Sequence, residues 1–321
     1  MPTTTAVALG PNGPKVPPLG LGTWAWGDKL FWDYGSDYGE KQVAEAFEAS
    51  LEAGVTFFDT AEIYGLGESE RLLARFMRKG FMRKASTPIQ IATKYSPAPW
   101  RFSEQAVSEA LSDSLKRLNQ ESVALYQVHW PFNFLMNQET LFSALAREYQ
   151  RGRIQAVGVS NYSAQDMTTA YKLLAQAGVP LAVNQVRYSL LDRGIEQNGI
   201  LDTARRLGVT ILAYSPLAQG LLTGKYTPAQ PPTLTGARRL DPQFSAAGLQ
   251  KIAPLLKRLQ EVGASCGRTP AQVALNWLIA QGVVPIPGAK TAGQALQNGG
   301  ALGWSLTDSE VAELDGLSRR V

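Results

Sequence analysis

One cysteine and one histidine among 321 residues leave little room for thiol or multi-histidine metal chemistry. The single Cys266 excludes an internal disulfide and any multi-cysteine metal site, so no metal is expected, and a reducing compartment fits. Its plain reading is a helix-end side chain. Long apolar runs are missing as well: no uncharged apolar stretch approaches the roughly 20 residues that cross a bilayer. The opening MPTTTAVALGPNGPKVPPLG has neither the charged start nor the apolar run of a signal peptide. A cytoplasmic protein, without membrane attachment, is expected. Clustered charge is also lacking. Lysine and arginine number 31 against 27 acidic residues, a net +4 that is scattered along the chain. That gives little reason to expect a nucleic-acid partner, while a modest basic excess suits a small anionic group such as a phosphate.

What is present is a rhythm. With 45% hydrophobic residues the chain can bury a large core. Short apolar runs read as strands at Leu19–Thr23, Thr56–Asp59, Ile89–Lys94, Val123–His129, Ala156–Val159, Ala182–Gln185, Thr210–Tyr214 and Val284–Pro287. Helical patterns alternate with them, near Lys41–Ala53, Glu68–Lys79, Ser103–Leu118, Gln138–Gln150, Ala164–Ala177, Gly199–Leu207, Leu249–Ser265 with Pro270–Gln281, and Ala292–Leu302. Ser103 and Thr269 read as N-caps, Gly54 and Gly178 as C-terminal stops, and Thr307 with Glu310 as a capping box opening a last helix. Before the first strand, Asn12-Gly13 predicts a tight type I′ hairpin within residues 5–17. Eight uniformly apolar strands alternating with helices predict a (β/α)₈ TIM barrel, a single domain over residues 1–321 with an N-terminal β-hairpin; an open doubly wound sheet is the alternative. The proline-rich stretch Leu221–Phe244 is too long for an ordinary connection and reads as a functional loop over one mouth.

In a closed barrel the chemistry lies at the C-terminal ends of the strands. The second predicted strand ends at Asp59 and runs into Tyr64, the third ends at Lys94, and the fourth ends at His129. Any one of these alone is more often a structural ion pair or a core histidine than a catalyst. Three consecutive strands with such ends, plus a tyrosine, make one device. To reduce a carbonyl, hydride must reach carbon while a proton reaches oxygen, and a phenol near its ordinary pKa of about 10 is a reluctant donor. Lys94 beside Tyr64 would lower its pKa by favouring phenolate, Asp59 would hold Lys94, and His129 would orient the carbonyl oxygen through a ring N–H. The hydride must come from a cofactor.

The segments GLGTWAWGD, FFDTAEIYG, ATK, QVHWP, VGVSNYS, NQVRYSLL, AYSPLAQGLLTGKY and PIPGAK, in this order over nearly the whole chain, resemble the aldo-keto reductase family. The resemblance implies that Asp59, Tyr64, Lys94 and His129 are its catalytic tetrad, with Tyr64 as general acid. WAWG, Ala98–Arg101, the GARR loop and GALGWSLTDSE look most like a branch from plants and photosynthetic bacteria that includes pyridoxal reductases. The implied cofactor is NADPH/NADP+. Gly20–Ala25 also fits the dinucleotide fingerprint G-x-G-x-x-A, but no helix opens at once behind it, so a Rossmann reading fails.

By the same resemblance Gly22, Thr23 and Trp24 lie beside the nicotinamide, Ser160, Asn161 and Gln185 hydrogen-bond its carboxamide, and Tyr214 stacks on its ring. Ser215, Pro216, Leu217, Gln219, Gly220, Leu222 and Lys225 surround the pyrophosphate, and Arg238 or Arg239 closes over it. Past the eighth strand, Gly288 and Gln294 stand where many relatives carry lysine and arginine toward the 2′-phosphate. Lys290 can replace that charge, with Gln294, Gln297 and Asn298 on the adenine side.

For the substrate, Trp24, Trp26, Trp100 and Trp130 are the expected pocket walls, with Phe31–Tyr38 on the rim, suiting a planar or ring-bearing carbonyl compound, pyridoxal-like ones included. The competing function is a regulatory barrel, like the family members associated with ion channels, that binds NADPH with negligible turnover. A monomer is compatible with the sequence.

Overall fold

The computed structural model describes residues 5–78, 88–132, 134–228, 230 and 241–321. Eight parallel strands form one sheet: β3 (Leu21–Gly22), β4 (Phe57–Asp59), β5 (Gln90–Tyr95), β6 (Leu125–Val128), β7 (Val157–Ser160), β8 (Leu181–Arg187), β9 (Thr210–Tyr214) and β10 (Val284–Pro285). They are ordered as in the chain. The ends meet, since Gly20 N and Gly22 N donate to Pro285 O and Pro287 O at 3.0 Å and Gly22 bridges Gly288. The sheet is therefore the closed barrel the sequence predicts.

Around it run α1 (Glu40–Glu52), α2 (Glu68–Arg78), α3 (Glu104–Leu118), α4 (Gln138–Gln150), α5 (Ala164–Gln176), α6 (Gly194–Gln197), α7 (Ile200–Leu207), α8 (Ala246–Cys266), α9 (Pro270–Ala280), α10 (Ala292–Gly299) and α11 (Asp308–Ser318). Ser103, Thr269 and Thr307 cap their helices as read, the last two in full capping boxes. Gly54 and Gly178, both left-handed, follow α1 and α5.

Strands β1 (Val7–Ala8) and β2 (Lys15–Val16) form the expected hairpin, but its turn is different. Leu9 N bonds Pro14 O, so four residues make the loop, and positive φ falls on Gly10 rather than on Asn12 or Gly13. Gly13 is needed for another reason: a Cβ there would lie 1.9 Å from Leu9 O. The hairpin closes the lower mouth. Leu9 and Val16 pack with Phe57, Ala92, Leu125, Ala156, Val183, Leu212, Val284 and Ile286 as the barrel's apolar interior.

That layer sets the next one. Side chains on one face of a strand recur every two residues. Two residues beyond Phe57, Ala92, Leu125, Ala156, Val183 and Leu212 come Asp59, Lys94, Gln127, Gly158, Gln185 and Tyr214. A polar floor thus lies directly above the apolar plug. Of the proline-rich loop, a 3₁₀ turn at Ala218–Thr223 and another at Pro242–Phe244 are described. Arg238 and Arg239 lie outside the described residues.

Candidate active site

Lys94 is the hub of the floor. Its Nζ donates to Asp59 Oδ2 at 2.5 Å, to Thr60 O at 2.9 Å and to Tyr64 OH at 3.2 Å. Those three acceptors match the three N–H bonds of an ammonium. The Lys94 and Asp59 side chains are 0% and 3% exposed, so the pair is held without competition from water. The other carboxylate oxygen, Asp59 Oδ1, accepts from Gln127 Nε2 at 3.0 Å and Gln185 Nε2 at 2.7 Å. The His129 ring meets the Tyr64 ring edge-on, with centroids 5.7 Å apart. The structure thus brings Asp59, Tyr64, Lys94 and His129 into one cluster at the C-terminal mouth.

Tyr64 does not belong to a strand, and its place has to be built by the turn that carries it. Tyr64 N bonds Ala61 O, and the two following residues, Gly65 and Leu66, are left-handed at φ 55°. A Cβ on residue 65 would lie 2.5 Å from Gly27 O, so glycine lets this turn lie against the loop after β3. Behind it, Ser69 Oγ accepts from Thr60 Oγ1 at 2.9 Å and shares a hydrogen bond with Thr23 Oγ1 at 2.8 Å. On the other side Glu62 accepts from Ser96 N at 2.6 Å and from Arg101 at 2.9 Å, tying the Tyr64 turn to the loop after β5.

Electrostatics correct one expectation. Burial pushes the Tyr64 phenol above its ordinary value, and although Lys94 pulls it down, Asp59 adds to the rise and the net direction is upward. Lys94 favours the phenolate as expected but does not outweigh desolvation. Burial likewise works against the Lys94 ammonium, yet Asp59 more than compensates and its pKa is raised. His129 is pushed down to about 2, first by burial and then by the Lys94 charge, so the imidazole is neutral. Its Nδ1 is buried without a hydrogen-bond partner among the described residues.

The residues expected around a cofactor fall into two groups. Those at the lip include Asn161, left-handed at φ 61°, whose Nδ2 reaches Ser160 Oγ at 3.2 Å and whose Oδ1 accepts from Tyr214 OH at 3.0 Å. Ser215, Gln219 and Gly220, all at positive φ, form a tight turn beyond β9, next to buried Pro216 and half-buried Leu217. Lys225 follows, exposed, with its Nζ over the Tyr226 ring. Gly22 and Gly288 face each other where the barrel closes, and a Cβ at 22 would lie 3.0 Å from Ile286 O.

Others are turned into the protein. The Thr23 hydroxyl lies between Asp59 O and Ser69, and the Leu222 side chain is fully buried with its N–H on Leu217 O. Gln185 gives its amide to Asp59. Asn298, expected on the adenine side, is buried and donates to Gly288 O at 3.2 Å; Gln297 faces α9 through Gln272 and Thr269. Gln294 stays at the turn, accepting from Lys290 N at 2.7 Å. The Lys290 ammonium rests on Trp32 O at 3.2 Å and 4.3 Å from the Tyr38 ring centroid.

The tryptophans divide as well. Trp24 lies over Tyr64, centroids 6.1 Å apart, and touches Phe31 and Trp32; Trp130 stacks on His129 at 4.4 Å and on Phe132 at 5.5 Å. One unbroken line of rings therefore crosses the mouth through this cluster. Trp26 is not in it. It is fully buried against Phe58 and Phe76, with its indole N–H on Ala289 O, because the chain turns after Thr23 and sends this side chain into the core. Trp100 is 75% exposed in the loop after β5. Gln127, fully buried and bonded to Asp59, escaped the sequence reading; its signal was the two-residue step from Leu125.

Comparison with known proteins gives concordant matches. The model of the aldo/keto reductase family covers residues 18–319. A chloroplastic pyridoxal reductase of Arabidopsis thaliana is 40% identical over 316 residues, 96% of this chain and 84% of that protein. An aldo-keto reductase of Bacillus subtilis is 30% identical over 96% of this chain and 92% of its own length. Among solved structures, a glycerol dehydrogenase of Gluconobacter oxydans superposes with a TM-score of 0.85 at 28% identity, covering 100% of this chain and 97% of that one. An aldo/keto reductase of Klebsiella pneumoniae, solved with NADP and acetate, gives 0.71 at 28% identity over 97% and 96%.

Proposed function

The chain belongs to the aldo/keto reductase family, and from that premise we propose that it is an NADPH-dependent reductase of small aldehydes or ketones, aromatic and pyridoxal-like ones included. The observation that carries this reading is Lys94 Nζ lying within hydrogen-bond reach of both Asp59 and Tyr64 OH, with His129 against the same tyrosine.

The residues at the lip suit a dinucleotide. Exposed Asn161 offers a donor and an acceptor for an amide beside buried Ser160, whose hydroxyl donates to Gln185 O; the half-buried Tyr214 ring offers a flat face, and the left-handed turn Ser215–Gly220 ahead of exposed Lys225 suits a pyrophosphate. A nicotinamide held there would supply the hydride that the carbonyl carbon needs. Tyr64 donates its phenolic proton to the carbonyl oxygen. Lys94 stabilises the phenolate left behind, and Asp59 holds Lys94 charged so that this stabilisation is in place beforehand. Neutral His129 can donate one ring N–H to the same oxygen without carrying a charge. The raised Tyr64 pKa keeps the acid protonated before reaction. Trp24 and Trp130 wall the substrate side, and the related reductase of A. thaliana, named for pyridoxal, makes a ring-bearing aldehyde the first to try.

Lys290 supplies the charge for a 2′-phosphate in this reading, which requires its ammonium to leave its seat on Trp32 O and Tyr38. Titration with NADPH and NADH, followed by a carbonyl panel that includes pyridoxal, tests the proposal. NADPH preference with turnover is expected. Tight NADPH binding with no turnover on any carbonyl would instead match a regulatory nucleotide-binding barrel.

A further inference from the structure

We infer that Gln127 is a positioning residue for the proton donor: it orients Asp59, through Asp59 it holds Lys94, and so it sets how readily Tyr64 gives up its proton. The inference rests on the reductase reading above. Three observations carry it. Gln127 is fully buried on β6, two residues below His129, and its Nε2 donates to Asp59 Oδ1 at 3.0 Å. Its Oε1 accepts from Gln185 Nε2 at 3.2 Å, and that same nitrogen donates to Asp59 Oδ1 at 2.7 Å, so two amides from β6 and β8 converge on one carboxylate oxygen. Room is kept for this arrangement: a Cβ on Gly158 would stand 3.0 Å from Gln127 Cγ.

The geometry divides the carboxylate. Oδ2 serves Lys94 and Oδ1 serves the amides, so the rotation of Asp59 is fixed by donors on both sides. Removing one of two donors to a buried anion loosens that rotation and weakens the anion itself. The Lys94 ammonium then loses definition relative to Tyr64 OH, although no group touching the substrate has changed.

Two variants test this, with Tyr64→Phe as control. Gln127→Leu should lower kcat by about tenfold or more, the usual worth of one charge-assisted hydrogen bond, and leave substrate KM within about twofold. In the cofactor-free protein, the tyrosinate absorbance step that Tyr64→Phe abolishes should move to higher pH in Gln127→Leu. Gln127→Glu keeps the shape, and its carboxyl can donate to Asp59 Oδ1 only when protonated. Its kcat should therefore approach that of the wild type at low pH and fall as pH rises, a pattern that packing damage alone does not produce. If Gln127→Leu does not fold, Gln127→Glu decides. An unchanged kcat and tyrosinate step in Gln127→Leu, or a flat pH response of Gln127→Glu relative to wild type, overturns the inference. Wild-type turnover that does not depend on Tyr64 would overturn the inference as well, whereas no turnover on any carbonyl would overturn the reductase reading instead.

Discussion

Acidification from pH 8 to pH 5 is expected to destabilise this protein through one side chain, His129. Its pKa falls from 6.5 to about 2 because burial and the nearby Lys94 charge both oppose protonation. The unfolded chain takes up a proton near pH 6.5 that the folded chain refuses, so the unfolded state binds more protons between those values. Stability from this group is therefore complete above about pH 6.5 and is lost as pH falls, by about 1.4 kcal/mol per unit, or about 2 kcal/mol at pH 5. His129 is the only histidine, which makes the effect separable. Urea unfolding of wild type and His129→Gln at half-unit steps from pH 5 to pH 8 isolates it, because other titrating groups cancel in the difference. The difference should be constant above pH 7 and should grow in favour of the variant below pH 6.5. Parallel curves across the range would mean that His129 is readily protonated, and the neutral hydrogen-bond donor would be lost from the account.

Other perturbations separate the roles of neighbouring residues. Trp26→Ala should cost about 3–5 kcal/mol of unfolding free energy as a core truncation, whereas Trp24→Ala should raise KM for an aromatic aldehyde severalfold and move Tm by less than about 2 °C; chemical denaturation and steady-state kinetics read the contrast. Arg117→Met should cost about 3–5 kcal/mol by stranding Glu70, whose fully buried carboxylate takes Arg117 Nε and Thr93 Oγ1, and adding Glu70→Gln should recover much of it in thermal unfolding. Lys290→Met should narrow the NADPH over NADH preference by about tenfold in fluorescence titrations; an unchanged ratio would assign the 2′-phosphate to another residue.

Most of the barrel was legible because a buried parallel strand must be apolar on both faces. The stretch Thr210–Tyr214 could be read to the residue for that reason. The cluster was legible because Asp59, Lys94 and His129 each interrupt such a run at its C-terminal end, where a barrel opens. Gln127 was not, since an uncharged amide inside an apolar strand raises no alarm until Asp59 is seen beside it. Trp24 and Trp26 could not be separated because the turn following Thr23 breaks the alternation that would have sorted them. The rise in the Tyr64 pKa depends on how completely the phenol is desolvated, and the seat of Lys290 on Trp32 and Tyr38 depends on a contact across more than 250 residues. Neither quantity is local to the sequence. The hairpin turn failed on competition: Gly10 took the left-handed position that Asn12-Gly13 would have supplied.

The most direct test of the central claim follows NADPH oxidation at saturating aldehyde for wild type and Tyr64→Phe, with NADPH affinity measured in parallel. In Tyr64→Phe kcat should fall by at least about a hundredfold, within the usual contribution of a positioned general acid, while NADPH affinity is unchanged. Retained turnover in Tyr64→Phe would contradict the claim.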